Sequence, residues 1–445
     1  MSAAHDAVEV RHELLERMAE ARLRTDELFQ IVRPDSLYER PIPERHRIIF
    51  YIGHLEAFDW NLLRECVLGA DSFHAEHDRL FAFGIDPVDG GLPSDQPADW
   101  PSLAEVHKYV SQVRQRLDAG LADALLSDAK PVSEEGYPAS VLVQVAIEHR
   151  LMHAETLAYM LHQLPLERKV RQPRGPELVV PTVAPRMIEI PAGPATLGLA
   201  RGKSFGWDNE YEAHTANVPG FAIDQYKVTN AEYLEFIAAG GYEDRSLWAD
   251  ADWNWKTQHN IKHPAFWIRQ GDTWYIRAMF EEVPLPLDWP VYVSQAEASA
   301  YARWAGKALP SEAQWHRAAY GTLGGDERTY PWGNEAPSSK RGNFDFERWD
   351  PTPVGAFLQG QSAFGVADLL GNGWEWTSSV FAPFPGFQPF SFYQGYSANF
   401  FDGQHYVMKG GSPRTAACML RRSFRNWFQP HYQYVYAGFR CVRNK

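Results

Sequence analysis

Two histidines stand four apart in the stretch EHRLMHAETLAYML, residues 148 to 161, whose apolar residues recur at helical spacing. On a helix, residues i and i+4 share a face about one turn apart, so His149 and His153 can offer two imidazole nitrogens to one ion. A third imidazole comes from FYIGHLEAFDWNLL, where His54 stands among apolar and aromatic residues and would be costly to bury unpartnered. Three neutral imidazoles leave coordination positions open, which a catalytic site needs and a structural zinc site avoids. Spacing leaves iron and zinc both open. Glu155, two residues beyond His153, points elsewhere on the helix; it is expected either as a hydrogen-bond acceptor behind an imidazole or as a solvated or capping charge. His74, His77 and His162 are expected mostly at the surface.

Helical periodicity runs through residues 8–30, 47–70, 102–126 and 138–164, with Pro-rich connections between them. Four such helices predict a bundle, in which distant segments can bring His54 level with the pair. Periodicity lapses in LPLERKVRQPRGPELVVPTVAP. Residues 1–165 are therefore expected as the bundle, 166–185 as a linker and 186–445 as a second domain. There, short strands and two or three helices alternate with long Gly, Trp and Asn loops, an irregular α+β pattern.

The 445 residues carry 43 basic and 56 acidic side chains, and the net charge of -13 argues against nucleic acid or anionic membrane as a partner. No apolar run approaches the roughly 18 residues of a membrane span. The three cysteines, Cys66, Cys418 and Cys441, show no CxxC spacing, and the charged N-terminal stretch lacks an apolar signal, so a reducing, cytoplasmic setting is expected. Most of the 16 tryptophans follow residue 200, which predicts a second domain packed with rings.

The pattern of His54 followed by His149, His153 and Glu155 on a bundle resembles the iron-binding triad of a DinB-like domain. IPAGPATLG, VTNAEYLEF, ALPSEAQWHRAA, YPWGN, GNGWEWTSS, KGGS and GFRCV resemble the formylglycine-generating-enzyme (sulfatase-modifying factor) fold, a variant of the C-type lectin fold. This domain pair resembles the ergothioneine-type sulfoxide synthases, with the selenoneine synthases as the nearest branch. The resemblance implies a non-heme Fe(II) enzyme that uses O2 to join a sulfur or selenium donor to hercynine, at the imidazole carbon between the ring nitrogens. Gathering these reactants at one ion replaces collision in solution. Formylglycine-generating enzymes use a cysteine pair shortly after GGS; KGGSPRTAACMLRRSFRNW holds only Cys418, so that activity is not expected.

RRSFRNWFQPHYQYVYAGFR resembles the family's RNW/RNF motif, which implies substrate contacts for Arg425, Asn426 and Trp427. Hercynine's trimethylammonium has no hydrogen-bond donor and suits an aromatic face, the role expected of Trp427 beside Asn426. Trp374 and Trp376 are expected to pack. In synthases that use glutamylcysteine, an aspartate follows the Trp directly and an arginine stands four residues further on; here those positions are Phe428 and Tyr432. A loop with another donor-binding arginine in that subfamily reads PVDGGLPSDQP here, without a basic residue. A charged dipeptide would lose its partners, and unpaired buried charge is expensive. An aromatic wall of Phe428 and Tyr432 instead suits an uncharged selenosugar or thiosugar. The family's active-site tyrosine falls in GFQPFSFYQGYSANFFDG, with Tyr393 and Tyr396 both candidates. Asn343, Asp345, Asn372 and Glu375 resemble positions where this fold holds structural calcium, and turn formation explains them equally well.

Two further functional classes fit parts of the sequence. One is a zinc-dependent thiol transferase of the DinB kind, needing no O2; the other is a lectin-like sugar-binding module whose histidines merely pack. Within the leading class, cysteine or glutamylcysteine as donor is the alternative to a selenosugar.

Overall fold

The computed structural model describes residues 2–84, 92–125 and 136–445 except 174, 176, 177, 179, 181 and 182. The chain forms two compact units, one running through Gln172 and including Phe390–Tyr393, the other Pro173–Pro389 with Gln394–Lys445.

In the first unit, α1 (Ser2–Gln30), α2 (Ile48–Leu63), α4 (Leu103–Ala124) and α5 (Ala139–His162) are the long helices, and a short α3 (Ala75–Phe83) lies against α2. The sequence reading places no helix at α3. Its N-cap is His74, whose side chain accepts from the His77 N–H, and histidine is not a usual helix-start signal. α4 begins at a capping box of Ser102 and Glu105 and buries Val106, Tyr109, Val113, Leu117 and Leu121, one stripe at three- and four-residue spacing. α5 is buried on nearly every face, as a central helix must be when it packs on both α1 and α2. That corrects the expectation for His162, which is 4 % exposed in the last turn of α5 and covered where Lys169 reaches its carbonyl. His74 and His77 are half-buried, their rings stacked at 3.8 Å. Residues 166–170, expected to open the linker, are tied to the end of α1 through Val32 and Ile31. Part of the expected linker and residues 87–91 of the PVDGGLPSDQP loop lie outside the described residues.

The second unit contains β1 (Met187–Ile190), β2 (Gly193–Leu197), β3 (His214–Val218), β4 (Phe221–Asp224), α6 (Asn230–Ala238), α7 (Asp250–Gln258), β5 (Trp267–Gln270), β6 (Thr273–Arg277), β7 (Glu282–Pro284), α8 (Gln295–Trp304), α9 (Glu312–Tyr320), β8 (Trp374–Val380), β9 (Tyr406–Lys409), β10 (Asn426–Phe428), β11 (Ala437–Gly438) and β12 (Val442–Asn444). β4 is central in the sheet β1-β4-β12, so the early and final strands of the unit pair with one another's neighbour. A second sheet, in the order β10-β9-β8-β11, carries the RNW motif on its edge strand. Capping boxes at Thr229, Ser294 and Ser311 start α6, α8 and α9 where the sequence shows Thr or Ser three residues before Glu or Gln. Trp315, Phe221, Ile223, Leu369 and Val442 form the core. Trp374 and Trp376 are fully buried, Trp376 donating its indole N–H to the Val293 carbonyl, as the packing expectation required. No helix among the described residues is long and apolar enough to cross a membrane.

Candidate functional site

α2 presents Phe50, His54 and Phe58 at four-residue intervals along one face, and α5 presents His149 and His153 in the same way. One ring nitrogen from each of His54, His149 and His153 falls within 4.8 Å of the other two. His149 is buried, and the other two are half-buried. Phe58 stacks on His149 at 3.4 Å and Phe50 on His54 at 4.7 Å, so aromatic faces fix two of the imidazole planes.

His54 Nδ1 lies 2.7 Å from the Phe81 carbonyl, an acceptor that places the ring proton on Nδ1 and leaves Nε2 as a lone pair. This Nε2 faces His153 Nε2 at 3.2 Å. Two nitrogens each ~2.1 Å from one ion, and between a right angle and a tetrahedral angle apart, stand about 3.0–3.4 Å from each other. Neither nitrogen of His149, nor Nδ1 of His153, has a hydrogen-bond partner although all three atoms are buried. Each such orphan costs roughly 1–3 kcal/mol. A bound cation would take one lone pair from each ring, satisfying one His149 nitrogen and the facing Nε2 atoms of His54 and His153, so these residues fit a metal ion.

Burial among apolar and aromatic side chains is the largest influence on the three imidazoles, holding His54 down at about 4 and His149 and His153 well below the ordinary value. The site is thus kept in the neutral form that binds metal. Metal-free protein is expected to lose stability as pH falls from about 6.5, where unfolded imidazoles take up protons, towards about 4, where His54 does so in the fold. Urea unfolding across that range measures the slope; a flat profile would contradict the burial.

Phe81 gets close enough because residue 53 is glycine. A Cβ there would stand 2.3 Å from the Phe81 ring. Gly53→Ala gains ~1 kcal/mol of helix propensity but forces overpacking worth ~1–3 kcal/mol, so a lower melting temperature is expected, with weaker metal retention as the Phe81 carbonyl shifts from His54. Calorimetry and a chelator competition check both halves.

Other expected residues fall elsewhere. Glu155 is buried but bonds to none of the three imidazoles, whose outer nitrogens either meet Phe81 or have no partner. Its two-residue offset from His153 turns it to another side of α5, and the outer-acceptor role expected of it belongs to a backbone carbonyl that carries no residue signature. Tyr393, in the segment that belongs to the first unit, lies with its ring 6.1 Å from His149 and 5.1 Å from Phe58. Tyr396 belongs to the second unit, stacked on Trp207 at 4.1 Å and edge-on to Trp427.

The RNW motif divides by strand alternation. Successive side chains on β10 point to opposite faces. Trp427 stacks on Phe381 at 4.2 Å, leaving one indole face uncovered by that ring, while Phe428 stacks on Tyr432 at 4.9 Å. Asn426 accepts the Trp427 N–H, a local turn that fixes its carboxamide. Arg425 corrects the expectation. It is buried with its guanidinium on both Glu312 oxygens and on the Asn209 and Ala382 carbonyls, so it anchors β10 and has no fork to offer a substrate.

Most polar groups of the residues named for calcium already serve the protein, and the buried Asn343 Oδ1 is left without a partner. Asn372 Oδ1 accepts from Asn343, Thr352 N–H and Thr352 O–H, Asp345 accepts from Ala417 N–H, and Glu375 is paired with Arg440, Lys227 and Trp315. They tie loops together. In the PVDGGLPSDQP loop, Asp95 is buried against Arg40, Arg47 and Trp100, so basic side chains do reach it from other segments and are spent there.

Residues 177–445 match the sulfatase-modifying factor enzyme 1-like domain, and residues 17–157 match the DinB superfamily. A hercynine oxygenase of Mycolicibacterium thermoresistibile is 37 % identical over 349 residues, which cover 77 % of this chain and 75 % of that protein. One of Mycolicibacterium smegmatis is 37 % identical over 327 residues, 71 % of this chain and 73 % of that one. Ergothioneine biosynthesis protein 1 of Neurospora crassa is 29 % identical over 514 residues, 93 % of this chain and 56 % of its own length.

Proposed function

We propose, for a chain that belongs to the ergothioneine-type sulfoxide synthase family, with its DinB domain followed by a sulfatase-modifying factor enzyme 1-like domain, that it joins hercynine oxidatively to a selenosugar. At the coarser level the chain is an oxidative enzyme of the hercynine oxygenase kind. The observation that carries the proposal to a metal is the convergence of His54, His149 and His153 with unsatisfied nitrogens. His54, His149 and His153 would hold ferrous iron there, and it would supply a redox-active Lewis acid for O2 and the reacting partners.

The protein's own part is positioning and proton management. The Phe81 carbonyl keeps the proton on His54 Nδ1 so that Nε2 stays a donor lone pair. Of the two candidate tyrosines, Tyr393, with its ring 6.1 Å from that of His149, is assigned the phenolic proton. Trp427, packed by Phe381, Tyr396 and Phe400, is assigned to the trimethylammonium of hercynine through the indole face that Phe381 does not stack on. The stacked Phe428 and Tyr432 form an uncharged wall for the donor. Replacing an imidazole C–H and a donor Se–H by a C–Se bond releases two protons and two electrons. Oxygenation at selenium takes two electrons more, so one O2 is consumed and its second oxygen leaves as water.

The test is aerobic incubation of Fe(II)-loaded protein with hercynine and, separately, a selenosugar, a thiosugar, cysteine and glutamylcysteine, followed by mass analysis. The selenosugar adduct is the expected product. Turnover with glutamylcysteine alone would reject the donor assignment, and full activity of an anaerobic zinc form would point to thiol transfer.

A further inference from the structure

Three imidazoles from two helices converge only if α2 and α5 keep one register, because a slip of one residue on α5 moves its side chains 1.5 Å along the axis and about 100° around it. Arg150 follows His149 directly, is wholly buried, and spends its guanidinium on groups around His54. It donates to Asp59 at 2.6 and 3.2 Å and to the Leu55 carbonyl at 3.1 Å, and it pairs with Glu56 at 3.0 Å. It also reaches Thr25 on α1 at 3.3 Å. Glu56 in turn takes Arg114 of α4 at 2.7 and 2.9 Å, and Arg114 holds Asp26 of α1 with both nitrogens. All four long helices thus meet in one ionic lattice centred on Arg150.

Energetics argue against stability as the purpose of that lattice. A buried ion pair recovers little beyond its desolvation cost, and well-packed apolar residues of similar volume do as well or better; fixing a register is its best-attested use. The planar guanidinium fork suits this, since it constrains rotation and translation together, which an ammonium does not. We propose that Arg150, with Asp59, is a positioning residue that sets α5 on α2 so that His149 and His153 face His54. The inference rests on the metal reading of those histidines and adds the device that assembles them.

Cobalt(II) titration of metal-free protein, followed by its visible absorption, tests this apart from activity. Wild type is expected to bind one equivalent. Arg150→Lys keeps the charge but loses the fork, and Asp59→Asn removes its acceptor charge; each is expected to weaken cobalt by about 10-fold or more and to change the absorption envelope. Asp26→Asn, at the outer end of the lattice, is expected to lower the melting temperature with cobalt affinity within about twofold of wild type. Loss of stability with wild-type cobalt affinity and spectrum in Arg150→Lys and Asp59→Asn would overturn the positioning role, and so would failure of both to fold, which would make the lattice a stability element. If wild type itself binds no cobalt, the metal reading fails first and takes this inference with it.

Discussion

His153→Ala is expected to strip the protein of its metal and leave the bundle standing. Of the three histidines it is the cleanest to remove. His149 is buried under the Phe58 ring, so its truncation would open a cavity, whereas His153 is half-buried on the same helix face. Taking away a ring whose Nδ1 has no partner removes an unsatisfied buried atom as well as a ligand, so the melting temperature of the metal-free variant should stay within a few degrees of metal-free wild type. Metal affinity behaves otherwise. Groups that merely support a ligand are worth about 10–100-fold, and a ligand itself should exceed that, so iron content is expected to fall from about one equivalent to less than about a tenth, and turnover with it by more than about 100-fold. Elemental analysis beside a thermal melt decides the matter. Undiminished metal in His153→Ala would mean that the histidines only pack.

The convergence of the three histidines was readable because its signal is one-dimensional: two polar residues four apart in an apolar helix, and one more in the apolar run of α2. Helix α4 was readable for the same reason, from its apolar stripe, whereas the second domain's helices were expected only as two or three, without the capping boxes that start α6, α8 and α9. What the sequence hid was everything supplied by backbone or by tertiary pairing. The acceptor behind His54 is a carbonyl, and any residue type at position 81 has one. The lattice around Arg150 joins residues 58 to 125 positions apart, and each of its charges looks by itself like a solvated surface residue. Arg425 reads as a substrate residue because RNW is contiguous in sequence, whereas the Glu312 carboxylate that holds it stands 113 positions away. Arg425 and Trp427 both lie over Phe381, and Phe428 turns the other way to Tyr432. Gly53 alone left a trace, as the one residue without a side chain in a helix of bulky ones.

That same alternation makes donor choice separable from acceptor binding, and Phe428→Asp combined with Tyr432→Arg should exchange one donor for another. Under the proposed reading the donor meets the stacked Phe428 and Tyr432 and no charge at these positions, a surface that suits a sugar ring and would leave the carboxylates and ammonium of glutamylcysteine unpaired. The double variant supplies the acid and the base that the family resemblance implies for glutamylcysteine as donor. Each restored pair, if partly buried, is worth about 1–3 kcal/mol, so kcat/KM for glutamylcysteine is expected to rise by at least about 10-fold. Selenosugar kcat/KM should fall by a similar factor as the stack is lost. Because Trp427 sits on the opposite face of the strand, held by Phe381, the KM for hercynine should move by less than about threefold. The single variant Phe428→Asp, a carboxylate without its base, should be poor with both donors. Competition between the two donors in one reaction, read by mass, gives the ratio directly. An unchanged ratio in the double variant would show that Phe428 and Tyr432 do not face the donor, and a hercynine KM that rises in step with the donor's would show that the two faces of β10 are not independent.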